Sequence, residues 1–88
     1  MVIQTNRELP RPGDVFRHFK GKYYTVCVLA HHSETDETLV VYRAMYGHGK
    51  VCARPFDMFM SEVDHDKYPD VEQKYRFEFV GNPFLGGE

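Results

Sequence analysis

Short runs of β-branched and aromatic residues, each ended by glycine, proline or a polar cluster, constrain the fold of this chain more than any other feature. The clearest run, YYTVCVLAH at 23–31, lies between Lys20-Gly21-Lys22 and the polar segment HSETDE at 32–37. β-branched and aromatic residues favour strands, and glycine adopts the positive φ that tight turns require. The pattern therefore predicts an all-β chain built from hairpins.

The order of runs and turns predicts both the elements and the domain limits. We expect strands at 15–19, 23–31, 38–46, 50–54, 60–63 and 75–80, with one helical or 3₁₀ turn at 56–59, after Pro55. This order is that of SH3-like barrels, so we predict a small all-β SH3-like barrel of five to six short antiparallel strands. The 88 residues are expected to form a single domain at 14–80, with an extended N-terminal lead-in at 1–13 and a loose C-terminal tail at 81–88.

Alternation along the predicted strands separates buried from exposed positions. The side chains expected in the core are Val26, Val28, Val41, Phe59, Phe77 and Phe79. Cys27 and Cys52 lie inside apolar runs and form no CxxC motif, so we predict that both thiols are reduced and mostly buried.

The charge of the chain limits its partners. A net charge of −2 and a pI near 6.2 lack the basic balance of a dedicated nucleic-acid-binding protein. The charge is uneven, however, because residues 39–54 include Arg43, Lys50 and Arg54 and no acidic residue. No apolar run approaches the ~20 residues that cross a bilayer, and the N-terminus lacks a signal-peptide pattern. We therefore expect a cytoplasmic protein with no membrane partner.

Several separated motifs carry a family resemblance. They are FRHFKG at 16–21, HSET at 32–35, VYRAMYG at 41–47, RP at 54–55 and MF at 58–59, with Tyr24 after the first. Their order resembles domain of unknown function family 1653, small bacterial domains with the pattern Y-x-H-F-K-G, H-S-E-T, V-V-Y-R-x-L-Y-G and R-P-x-x-M-F. The resemblance covers 13–63, but Phe16 replaces a frequent Tyr, and VCA at 51–53 replaces a bulkier, Trp-containing strand. The family implies a fold and no established activity.

The residues do not favour metal or catalytic chemistry. The five His and two Cys include no C-x₂-C or H-x₃-H spacing, so no metal or other cofactor is expected. A small hydrolase or nucleotide-processing enzyme using His32 and Glu34 is the alternative function, but neighbouring residues of one turn rarely converge as nucleophile and base. Ser33 and Thr35 hydroxyls that bond their own backbone explain the HSETDE segment without a ligand. We therefore expect a protein that is not an enzyme.

The remaining polar residues favour a binding module. Tyrosine rings provide flat contact area, and arginine provides directional bonds to anions. The partner is expected to be an unknown protein, a peptide or a small anionic ligand, and single-stranded nucleic acid is an alternative that the composition does not favour. The predicted ligand-binding residues are His18, Tyr24, His32, Glu34, Tyr42, Arg43, Tyr46 and Arg54.

The register of the last hairpin decides whether two of these residues meet. Counting back from a three-residue loop at 47–49 pairs Tyr46 with Lys50 and places Arg43 level with Ala53. Arg43 would then approach Arg54 if both side chains lie on one face of the sheet. A one-residue change of register would separate them.

Overall fold

Five antiparallel strands form one sheet in the computed structural model, which describes residues 7–84. The elements in chain order are β1 (Val15–His18), β2 (Tyr23–His31), β3 (Thr38–Ala44), β4 (Val51–Pro55), α1 (Phe56–Phe59) and β5 (Phe77–Gly81). The strand order β4-β3-β2-β1-β5 follows from three consecutive hairpins and the return of β5 to β1. The all-β prediction is confirmed, but the sheet is not closed, so the structure does not confirm a barrel.

The predicted elements agree with the observed ones best where turn chemistry is strongest. The strand at 23–31 and the helical turn at 56–59 have the predicted bounds. Since proline cannot donate a ladder hydrogen bond, β4 ends at Pro55 and α1 begins directly after it. The strand predicted at 60–63 is reduced to a single bridge between Glu62 and Tyr75.

The core lies between the inner face of the sheet and α1. Phe59 of α1 stacks on Phe77 of β5, with ring centroids 4.1 Å apart and planes 9° from parallel. Both rings are fully buried, and large rings give a small domain much of its buried apolar area. The buried cluster comprises Phe16, Val26, Val40, Tyr42, Phe56, Phe59, Met60 and Phe77. The predicted burial of Val26, Phe59 and Phe77 is confirmed.

The predicted burial of three other residues is wrong. The register of β2 against β3 shifts between Val26 and Val28, so Val28 lies on the outer face and is 47% exposed. Val41 is half-buried on the outer face of β3, because Val40 and Tyr42 occupy the core face. Phe79 lies on the same face of β5 as Phe77, as the alternation predicts, and contacts Phe16. Phe16 is at the margin of the core, so Phe79 beyond it is 52% exposed.

The two cysteines are less buried than predicted. Cys27 and Cys52 are free thiols, and both are half-buried. Cys27 lies at the register shift of β2, where alternation is interrupted, while Cys52 packs against the core from the edge strand β4. Partial exposure of Cys52 follows from its edge position.

Hydrogen bonds hold the segment before β1 against β2 and against the segment after β5. The Gly13 backbone N–H donates to the Val26 carbonyl over 2.8 Å, and the Asn82 amide donates to the carbonyl of Pro12 and to Oδ1 of Asp14 over 3.1 and 2.8 Å. Asn82 is buried, so the chain is held at this residue, whereas Phe84 is largely exposed. The rest of the predicted lead-in and tail, at 1–6 and 85–88, lies outside the described residues.

Candidate anion-binding cleft

Five of the eight predicted site residues lie together on the inner side of the sheet. Tyr24 of β2 is at the centre of this group, with ring centroids 5.4 Å from Tyr42, 5.7 Å from Tyr46 and 6.3 Å from His18. Arg54 joins the group because its Nε donates to the Tyr42 hydroxyl over 3.2 Å. The structure therefore brings these residues of β1, β2, β3, β4 and the 45–50 loop to one surface.

Arg43 is not part of this surface. In the observed register Arg43 is opposite Val51 and Arg54 is opposite Val40, so the two arginines point to opposite faces of the sheet. The register counted back from the loop, with Arg43 level with Ala53, is wrong, and the condition that both arginines lie on one face is not met. The physical reason is that the connection between β3 and β4 spans 45–50, where a three-residue loop at 47–49 was predicted. Two glycines with positive φ shape this connection, and the residue opposite Arg43 is Val51, two positions from the predicted Ala53.

His32 and Glu34 lie at the far end of the β2–β3 hairpin. Tyr24 lies near the start of β2 and His31 at its end. Seven residues at 3.3 Å per residue separate the two by about 23 Å. Nδ1 of His32 accepts the backbone N–H groups of Glu34 and Thr35 over 3.1 and 3.4 Å, and both side chains are exposed. These contacts stabilise the turn and place the two residues away from the candidate site.

A cleft of about 340 Å³ opens beside His18 and Arg54. We call it the basic cleft. The residues that line it are His18, Phe19, Lys20, Arg54, Asp64, Lys67, Tyr68 and Arg76. Three distant parts of the chain form its walls, namely the end of β1 with the turn after it, the end of β4, and the segment 64–76.

Backbone hydrogen bonds hold these walls in place. The Phe19 N–H donates to the Arg76 carbonyl over 2.9 Å, which fixes the β1–β2 turn against the chain entering β5. The Arg76 N–H donates to the Ser61 carbonyl over 3.0 Å, and the Val63 N–H donates to the Lys74 carbonyl over 2.8 Å. The segment between these bonds closes the cleft, and Tyr68 contacts Phe19 with ring centroids 5.0 Å apart.

Positive charge dominates the basic cleft. Lys20, Arg54, Lys67 and Arg76 face a single carboxylate, Asp64, although the chain as a whole has a net charge of −2. None of the four cations forms an ion pair within residues 7–84, where the one such contact is the distant pair of His31 with Asp36. The cleft therefore concentrates positive charge in a chain that has more acidic than basic residues.

Arg54 is the best-oriented cation in the basic cleft. It is half-buried, and its guanidinium carbon lies 5.5 Å from the centre of the buried Phe77 ring. Its Nε donates a hydrogen bond to the Tyr42 hydroxyl, while its terminal nitrogens make no hydrogen bond within residues 7–84. A guanidinium fixed at one edge and open at the other is suited to a bidentate contact with a carboxylate or phosphate.

His18 adds a neutral donor to the cleft. Burial lowers the pKa of His18 below its ordinary 6.5, and the positive charges of Arg54, Lys20 and Arg76 lower it further. Nδ1 of His18 accepts the Lys20 backbone N–H over 3.1 Å, so the neutral ring has its proton on Nε2. The imidazole thus provides an N–H group among three cations, and it gains a proton more readily when an anion is present.

A hydrogen-bonded tyrosine pair lies beside the cleft. The hydroxyls of Tyr24 and Tyr46 are 2.9 Å apart. Burial and this hydrogen bond raise the pKa of Tyr24 from its ordinary 10.0 to about 12. With this raised pKa the Tyr24 hydroxyl is neutral at physiological pH, so it contributes aromatic surface and hydrogen bonding without negative charge.

Sequence reasoning missed most of the cleft wall. Phe19, Lys20, Lys67, Tyr68 and Arg76 line the cleft, but none was a predicted site residue. The available signal was the interleaving of lysine and tyrosine in a segment that also contains four acidic residues. That signal is weak, because only long-range packing shows that residues 64–76 lie beside β1 and β4.

The described residues hold no cluster of metal ligands and no long apolar helix. Within 7–84, no three His, Cys, Asp or Glu side chains are grouped so that they could hold a metal ion. No helix in that part of the chain is long and apolar enough to cross a membrane.

The fold and the cleft define a small all-β domain with a cationic, ring-walled site. Residues 14–79 match the family described as protein of unknown function (DUF1653), and the chain belongs to this family. It is similar to a DUF1653 protein from Bordetella bronchiseptica whose crystal structure is known, with 35% sequence identity and a TM-score of 0.68. The similarity covers 82% of this chain and 88% of that chain. No curated protein matches the chain.

Proposed function

We propose that this DUF1653 chain is a non-catalytic binding module of SH3-like architecture, which binds an anionic group of its partner in the basic cleft. The observation that carries the proposal is the set of four cations that line the basic cleft together with His18, none of which has an ion-pair partner within residues 7–84. Such a concentration of unpaired charge is unfavourable by itself, and an anion relieves the repulsion. Because the chain as a whole has a net charge of −2, this excess of cations is a local property of the cleft and does not reflect the overall composition.

Arg54 is expected to be the principal contact. Its guanidinium lies over the Phe77 ring and its Nε donates to the Tyr42 hydroxyl, so little side-chain entropy remains to be lost when a ligand binds. Hydrogen bonds to charged groups contribute about 1.5–3 kcal/mol each. Loss of this contact should therefore weaken anion binding roughly 10- to 150-fold.

Arg54→Gln and Arg43→Gln provide a matched test, because both residues belong to the same hairpin but point to opposite faces. Sulfate binding is measured by two-dimensional NMR at constant ionic strength. Arg54→Gln should largely remove the chemical-shift changes at His18 and Phe19, whereas Arg43→Gln should leave them unchanged. Equal effects of the two substitutions, or sulfate binding at a different surface, would refute the proposal.

A further inference from the structure

We propose that the anionic partner is a single-stranded nucleic acid, whose phosphates occupy the basic cleft while its bases stack on rings that continue from the cleft. This inference rests on the proposed function. It concerns a second feature of the same surface, a continuous row of rings that we call the aromatic strip. Its members are Tyr68, Phe19, His18, Tyr24 and Tyr46.

The aromatic strip extends beyond what one anion needs. Consecutive ring centroids are separated by 5.0, 4.5, 6.3 and 5.7 Å, from Tyr68 in the cleft wall to Tyr46 in the 45–50 loop. Tyr46 is 45% exposed, so the outer end of the strip is open to a ligand. A simple anion in the cleft would leave this outer part unused, whereas a chain of alternating phosphates and bases contacts both features.

Lysines lie above several of these rings. Lys20 Nζ is 5.9 Å from the centre of Phe19 and 5.7 Å from that of Tyr68, and Lys67 Nζ is 5.5 Å from Tyr68. At the other end of the strip, Lys22 Nζ is 4.8 Å from the centre of Tyr46. Flexible ammonium groups in these positions can move from a ring to a phosphate when a base takes their place on the ring.

The combination of rings and cations favours nucleic acid over an acidic peptide. Aspartate and glutamate side chains have carboxylates but no aromatic ring that stacks on tyrosine. Every nucleic-acid base has such a face, and base–aromatic stacking contributes about 1–3 kcal/mol per base. Single-stranded nucleic acid leaves these faces accessible, whereas a duplex buries them.

The overall acidity of the chain does not conflict with this partner. Lys20, Lys22, Arg54, Lys67 and Arg76 lie along the basic cleft and the aromatic strip, with Asp64 as the single acidic residue of the cleft. If all five cations contact phosphates, the logarithm of the association constant should fall with the logarithm of salt concentration with a slope of about −3.5.

The experiment uses a short fluorescein-labelled oligothymidylate, and fluorescence anisotropy measures its affinity for the full chain. An abasic oligonucleotide of equal length retains the phosphates without the bases, and a polyglutamate peptide retains negative charge alone. We expect the oligothymidylate to bind at least tenfold more tightly than either probe. Tyr68→Ala and Tyr46→Ala should each weaken its binding about 5- to 150-fold, whereas Tyr23→Ala, at a 44% exposed tyrosine on the other face of β2, should not.

The outcomes separate this inference from the proposed function. Equal affinity for the abasic oligonucleotide or for polyglutamate would overturn stacking as the basis of recognition, as would full affinity in both ring variants. If sulfate binds in an Arg54-dependent manner but the oligothymidylate does not bind, the nucleic-acid inference fails and the proposed function stands. If neither ligand binds, both proposals fail.

Discussion

Phe77→Ala and Phe79→Ala test the extent of the core with the same substitution in the same strand. Phe77 is 1% exposed, stacks on Phe59 and contacts the rings of His18, Tyr24 and Tyr42. Truncating a fully buried phenylalanine costs about 3–5 kcal/mol. At about 0.05–0.15 kcal/mol per residue, the whole domain has a free energy of unfolding of roughly 4–13 kcal/mol.

Phe79 is the matched control because it is 52% exposed and has one close ring contact, 5.8 Å from Phe16. Complete burial of a phenylalanine contributes about 1.5–3 kcal/mol, so removal of this half-exposed ring should cost about 0.7–1.5 kcal/mol.

Urea unfolding measured by circular dichroism distinguishes the two variants. With a slope near 1 kcal/mol per molar urea, the midpoint should fall by about 3 M or more for Phe77→Ala and by about 1 M for Phe79→Ala. If Phe77→Ala is unfolded in water, Phe77→Leu provides a measurable intermediate loss. Equal midpoints for the Phe77 and Phe79 variants would refute the account of the core.

Two further predictions concern a glycine and a tyrosine. A Cβ at Gly13 would lie 2.7 Å from Phe84 Cδ2, whereas a Cβ at Gly21 would meet nothing within 4 Å, and both residues have positive φ. Gly13→Ala should therefore lower the thermal midpoint more than Gly21→Ala, which carries only the backbone cost of about 1–2 kcal/mol; equal losses would contradict the observed packing. Folding raises the pKa of Tyr24 to about 12, so its neutral hydroxyl stabilises the fold fully below pH 10 and this stabilisation is lost as the pH rises through 12. As the pH rises from 10 to 12, the free energy of unfolding should fall less in Tyr24→Phe than in the parent. Urea unfolding at a series of alkaline pH values measures this, and the same fall in both proteins would contradict the prediction.

The sequence predicts elements well where local chemistry is decisive. The run at 23–31 contains residues that favour strands and is bounded by turns, and Pro55 ends β4 whatever the tertiary context. Faces and registers are less predictable. The register shift beside Cys27 reverses the alternation that Val28 would otherwise follow, and nothing in the local sequence indicates it.

The candidate site is predictable only in part for the same reason. His18, Tyr24, Tyr42 and Arg54 share a surface because they lie on neighbouring strands, which alternation can indicate. Arg43 does not, because the length of the 45–50 connection sets the register. Residues of the 64–76 segment enter the site through backbone contacts with distant residues, which local patterns do not encode.

The most direct test of the central claim is the pKa of His18 with and without sulfate. Without an anion, burial and three neighbouring cations hold this pKa below 6.5. Sulfate keeps its charge across the titration, and its presence in the basic cleft should favour the imidazolium form. NMR titration of the imidazole protons at constant ionic strength should therefore show a higher His18 pKa in saturating sulfate than in chloride, and an unchanged or lower pKa would contradict anion binding in the cleft.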